Sequence, residues 1–150
     1  MEKVWVYLSS KVLDGSTLQS MLEQGQAFVQ SWKAHEMPLN ASFEVLYNRF
    51  IVVKVDETQY NASGCSIDKL LRLIKQFESD FKIELLNRLL VAYKKDENIE
   101  VVHAGKIKEM LLDGRLNNQT LVYDISVSNS DQYHVWEKAL KDTWLKKYLN

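Results

Sequence analysis

The hydrophobic pattern opens with Val4-Trp5-Val6-Tyr7-Leu8, an uninterrupted β-branched and aromatic run that predicts a strand covered on both faces, and so a central strand rather than an exposed edge. The period then lengthens. After a turn at Asp14-Gly15-Ser16, with Ser16 and Gln19 at capping-box spacing, Leu18, Met21, Leu22, Phe28, Val29 and Trp32 share one stripe and predict a helix from about Thr17 to about Lys33. Past Pro38, the only proline, Phe43, Val45 and Tyr47 alternate with Ser42, Glu44 and Leu46 as a second strand. Asn48-Arg49 separates it from a third, Phe50 to Val55, close enough for an antiparallel hairpin. After a loop from Asp56 to Cys65, helical spacing returns at Ile67, Leu70, Leu71, Ile74, Phe77 and Phe81.

The remaining pattern predicts strands at Leu89 to Tyr93 and Ile99 to Val102 about an Asp96-Glu97-Asn98 turn, and a short helix from Gly105 to Leu112 with a stop at Gly114. A sixth strand over Leu121 to Val127 and a last helix from Asp131 to Tyr148 complete the chain, the helix carrying Val135, Trp136, Leu140, Trp144 and Tyr148 on its apolar stripe. The first six elements follow the order of a ferredoxin-like βαββαβ unit, here with a C-terminal βαβα extension. The expected class is therefore α+β with a mostly antiparallel sheet. With no repeat, low-complexity tract or linker, residues 1–150 read as a single domain.

Composition narrows the function classes. Nineteen basic and 20 acidic residues leave a net charge of -1, which gives no global field to attract nucleic acid. No apolar segment is long enough to span a bilayer, so direct membrane insertion is not expected. One cysteine cannot form an internal disulfide, and Met1-Glu2-Lys3-Val4-Trp5-Val6-Tyr7 lacks the features of a secretory signal, which leads to an expectation of a cytoplasmic protein. The partner expected of such a chain is a protein, a second copy of itself included. No cofactor motif is present.

Chemistry concentrates around Cys65, just ahead of the second helix, where unpaired N–H groups and a partial positive charge favour a thiolate. In the ferredoxin-like arrangement the loop before the second strand and the loop before the second helix share one end of the sheet, which brings His35 toward Cys65 as its base. Asp68 would orient a donor, Ser66 would cap the helix, and Ser63, Gly64, Ser66, Asp56 and Glu57 would line a ligand site beside it. Each residue has a plainer reading. Cys65 fills a loop with Gly64 there for backbone shape, Asp68 caps the helix, His35 bonds a carbonyl at the end of the first helix, and Asp56-Glu57 are solvated acids at a strand end. His103 and His134 lack metal-site spacing, and one thiol cannot build a structural zinc centre, so no metal is expected.

The stretches Trp32-Lys33-Ala34-His35-Glu36, Ala41-Ser42-Phe43 through Tyr47-Asn48-Arg49-Phe50-Ile51, Val55-Asp56-Glu57 and Ala62-Ser63-Gly64-Cys65-Ser66-Ile67-Asp68, with Asp142-Thr143-Trp144 near the end, resemble a family of small uncharacterised bacterial proteins. Some of its members carry the label "ABC transporter ATPase". The resemblance spans most of the chain and implies a family identity, not an activity. A phosphate-cradling Walker loop needs Gly-x-x-x-x-Gly-Lys-Ser/Thr, yet the only Gly-Lys pair, Gly105-Lys106, has Glu100 where the first glycine belongs and Ile107 where the hydroxyl belongs. ATP hydrolysis by this chain alone is not expected. The first functional expectation is a non-catalytic interaction or regulatory module. The others are a thiol-dependent enzyme or sensor using Cys65 with His35, and small-ligand binding between the Met37 and Tyr60 loops.

Overall fold

The computed structural model describes residues 2–150. In chain order these form β1 (Glu2–Leu8), α1 (Gly15–Ser31), β2 (Lys33–Ala34), β3 (Met37–Pro38), β4 (Asn40–Leu46), β5 (Phe50–Asp56) and α2 (Gly64–Phe81). There follow β6 (Leu90–Lys95), β7 (Asn98–His103), α3 (Ile107–Leu112), β8 (Leu121–Tyr123), α4 (Ser130–Tyr133) and β9 (Glu137–Ala139), with short 3₁₀ turns at Ala104–Lys106, Leu140–Asp142 and Trp144–Tyr148. The class is α+β, and the strand pairs are antiparallel.

Two main sheets lie between helical layers. The first has the order β1-β5-β4 and the second β7-β6-β8-β9, with β2-β3 a separate two-strand hairpin. Strand alternation divides the apolar residues of the first sheet between two cores. Ile51, Val53 and Val55 of β5 face α1 and α2, against Met21, Val29, Leu70, Ile74 and Phe77. Phe50 and Val52, with Val4, Val6 and Leu8 of β1, face the second sheet and meet Ala92, Tyr123 and Trp136. The outer face of the second sheet, through Val91 and Val122, packs on Ile107, Met110, Leu140 and Leu145. Helices, sheet, sheet and helical turns are thus stacked in four layers.

Three expectations change. β1 is an edge strand of its sheet, and the centre is β5. Burial on both faces reports that the layer is covered above and below, not that the strand has neighbours on both sides. Secondly, β1, β5 and β4 reproduce the first three strands of a ferredoxin-like unit, but the fourth, β6, pairs with β7 and β8 in the second sheet. The chain between α2 and β6 is held past the end of β1, where the Ser10 amide donates to the Glu84 carbonyl (2.9 Å) and the Glu84 amide donates to Ser10 Oγ (2.8 Å).

Thirdly, the last helix is broken into α4, β9 and two 3₁₀ turns, and the sixth strand stops at Tyr123. A continuous helix would place residues 136 and 140 on the same face. Trp136 instead packs between the sheets, 4.9 Å from the Phe50 ring and 5.0 Å from Tyr123 by centroid, while Leu140 is buried on the opposite side of the second sheet. The intervening Glu137–Ala139 crosses from one side to the other as the edge strand β9, paired with β8.

Candidate functional site

The start of α2 is built by two serines. Ser63 is the N-cap: its Oγ accepts from the Ser66 amide (3.2 Å), and Ser66 Oγ returns the bond by accepting from the Ser63 amide (2.7 Å). This reciprocal capping box places Cys65 inside the helix, at its second residue, and gives the cap to Ser63 rather than to Ser66. Ser66 is buried, and its carbonyl accepts the Trp32 indole N–H (2.8 Å), which ties the end of α1 to the first turn of α2.

His35 and Glu36 occupy the turn of the β2-β3 hairpin, both in the left-handed region, at φ 52° and 69°. The hairpin stands beside the Gln59–Ser63 loop. Ala34, His35 and Met37 share with Tyr60, Ala62 and Ser63 the walls of a cleft of about 400 Å³. The two loops that carry His35 and the start of α2 therefore meet on one rim of the molecule, and a cleft lies between the Met37 and Tyr60 loops.

The thiol is not part of that cleft. Cys65 is exposed, is absent from the cleft walls and has no hydrogen bond to His35. Asp68 lies beyond the first helical turn, is exposed and orients no donor among the described residues. The acids of the preceding loop serve the loop itself. Asp56 accepts from the Thr58 hydroxyl and from its amide (3.0 Å), bonds that hold its carboxyl below the ordinary value, and Glu57 accepts from the Ala62 amide (2.9 Å). A β-carbon on Gly64 would meet open space. The polar groups proposed as ligands are thus committed to capping and turn formation, and no hydrogen bond reaches the sulfur among the described residues. Among the described residues no group of three or more His, Cys, Asp or Glu side chains is placed to hold a metal ion. No helix among them is long and apolar enough to cross a membrane.

A different place in the fold carries unsatisfied backbone. In an antiparallel ladder the N–H and C=O of one residue point to the same side, and successive residues alternate. Ser9 donates to the Arg49 carbonyl on the β5 side (2.8 Å), so Val4, Val6, Leu8 and Ser10 point the other way. Val4 donates to the Ser128 carbonyl (3.0 Å), and Ser10 to Glu84 (2.9 Å). Between these two fastened ends, Val6 and Leu8 have no main-chain partner on that side among the described residues; Leu8 is covered, at 1% exposure, so Val6 is the position that faces the cleft described next. This is where the fourth strand of a ferredoxin-like unit would lie, and β6 has gone elsewhere.

A cleft of about 290 Å³ runs along this edge, walled by Trp5, Val6 and Tyr7, by Ile67 and Leu71 of α2, and by the 125–128 segment. Lys3 and Arg88 reach it, no acid does, and neither cation forms an ion pair or side-chain hydrogen bond among the described residues. Burial pushes the Tyr7 phenol up to about 12, against the opposing pull of the Arg88 charge, so it remains neutral. Arg88, Ile125 and Ser126 also wall a second cleft of about 270 Å³, lined mainly by apolar residues including Leu89, Val122 and Trp144. Sequence reading missed this region because no local signal marks it. The chain matches no protein-family model, no curated protein and no solved structure.

Proposed function

We propose that this chain is a non-catalytic binding module that works in the cytoplasm and recognises a protein partner at the open stretch of the β1 edge. The observation that carries the reading is the gap at Val6. Unpaired main-chain groups at the side of a strand buried on both faces are a template for one more strand, and such edges are normally paired, charged or covered. Here they are covered at both ends and open in the middle. The thiol-enzyme alternative is less well supported, since no hydrogen bond joins Cys65, His35 and Asp68 among the described residues and Cys65 lies outside the cleft walls.

Amide hydrogen exchange on the free protein tests this. Trp5 and Tyr7, whose amides face β5, should exchange slowly, while Val6 should exchange faster by about tenfold or more. Equal protection along β1 would mean that the edge is closed, and the reading would be wrong.

A further inference from the structure

The cleft along β1 is a recess, and its shape limits what can enter. One side is α2 at Ile67 and Leu71, the other is the 125–128 segment, and the ends are closed by the bonds of Val4 to Ser128 and of Ser10 to Glu84. Two recessed edges cannot pair with each other, which excludes a second copy docking β1 to β1. A single extended segment of a few residues fits, since Val4 to Ser10 spans about 20 Å at the ordinary rise of a strand. The chain already shows the mode: Asn129 bridges Lys3 in antiparallel register, and Val4 donates to Ser128, before the segment veers off through the Asp124-Ile125-Ser126 turn.

Charge selects among extended segments. The recess is walled by two cations and no acid, and Arg88 is exposed and unpaired where the recess meets the neighbouring apolar cleft. A guanidinium with free donors binds a carboxylate by charge-assisted hydrogen bonds, whereas a basic or uncharged segment would leave it unpaired. We propose that the β1 recess takes up a short extended peptide segment bearing a carboxylate side chain: its backbone pairs with Val6, its carboxylate with Arg88, and a neighbouring apolar side chain enters the cleft by Leu89, Val122 and Trp144. This rests on the binding-module reading and names the class of partner.

The test uses the full ¹⁵N-labelled chain and three pools of acetylated, amidated pentapeptides, randomised over valine, isoleucine, threonine and leucine, with glutamate, glutamine or lysine at the centre. The glutamate pool should shift the Val6 amide resonance and slow its exchange. It should bind about tenfold more tightly than the glutamine pool, and the lysine pool more weakly still. Arg88→Gln should erase the preference for glutamate over glutamine. Arg88 is exposed, so the variant should fold, and an unchanged spectrum away from the site checks this. Equal binding of all three pools at Val6 would overturn the acidic partner and leave the open edge standing. No binding at millimolar peptide, or shifts confined to the His35–Tyr60 cleft, would overturn the peptide site. Only a protected Val6 amide in the free protein removes the reading beneath it.

Discussion

Asp124 shows how one side chain shapes the wall of the apolar cleft. Its Oδ1 accepts from the Ser126 amide (2.9 Å) and hydroxyl, and its Oδ2 accepts from Lys138 Nζ (3.0 Å), which sets the turn that follows β8 and ties it to β9. Burial pushes this carboxyl up, but the bonds from Ser126 and Lys138 outweigh it, and the folded value falls below the ordinary one. With the folded value depressed, the stability that the ionised group contributes is full above the ordinary carboxylate range and is lost as pH falls through the folded value. Asp124→Asn should therefore cost about 1–3 kcal/mol in urea unfolding at pH 7, and the gap from the parent should narrow at about pH 3. A gap of the same size at both pH values would assign the role to shape rather than charge. At this scale the sequence is legible where chemistry is local. The capping of α2 lies within the short stretch Ser63 to Ser66, yet the cap falls to Ser63 and not to Ser66 because the helix begins at Gly64, three residues ahead of the Ile67 at which its apolar stripe starts.

In α1 the informative residue is a glycine. Gly25 lies one turn from Met21 and Val29 on the buried stripe, and a β-carbon there would stand 2.3 Å from Cδ1 of Phe43 on β4. Alanine is the better helix former by about 1 kcal/mol, so exposed positions gain from this change. Here the Phe43 ring is 2% exposed and has no space to retreat into. Gly25→Ala should thus lower stability by about 1–3 kcal/mol net, read as a fall in thermal midpoint, because overpacking wins over propensity. A rise would show that the helix can lift from the sheet. The C-terminal segment teaches the complementary lesson. Trp136, Leu140, Trp144 and Tyr148 keep helical spacing, but spacing alone does not say that the burial sites lie on one side. Trp136 and Leu140 are buried on opposite faces of the second sheet, so the chain crosses as a strand.

For the whole molecule, the first sheet is shared property. Its two faces contribute to separate cores, the helical one through Ile51, Val53 and Val55 and the inter-sheet one through Phe50 and Val52. Loss of β5 therefore removes both at once. The four tryptophans report on this, with Trp32 buried in the helical core and Trp136 between the sheets. In a chain labelled with fluorotryptophan, the native ¹⁹F signals of Trp32 and Trp136 should vanish at the same urea concentration, as a cooperative unit requires. Separate midpoints would show that the layers unfold independently, and the open β1 edge would then sit at a boundary between two units.

The sequence by itself determined the antiparallel α+β class and the elements β1, α1, β4, β5 and α2 to within a few residues at their ends, though not the β2-β3 hairpin between them. Each follows from side-chain periodicity or from turn chemistry confined to a few residues. The tertiary structure decided that β5 and not β1 is central, that β6 joins the second sheet, and that the edge of β1 is open at Val6. The reason is physical. Side chains record which faces of a strand are covered, whereas lateral pairing is made by main-chain N–H and C=O groups that are alike at nearly every residue, so an apolar run reads the same in the middle of a sheet and at its rim.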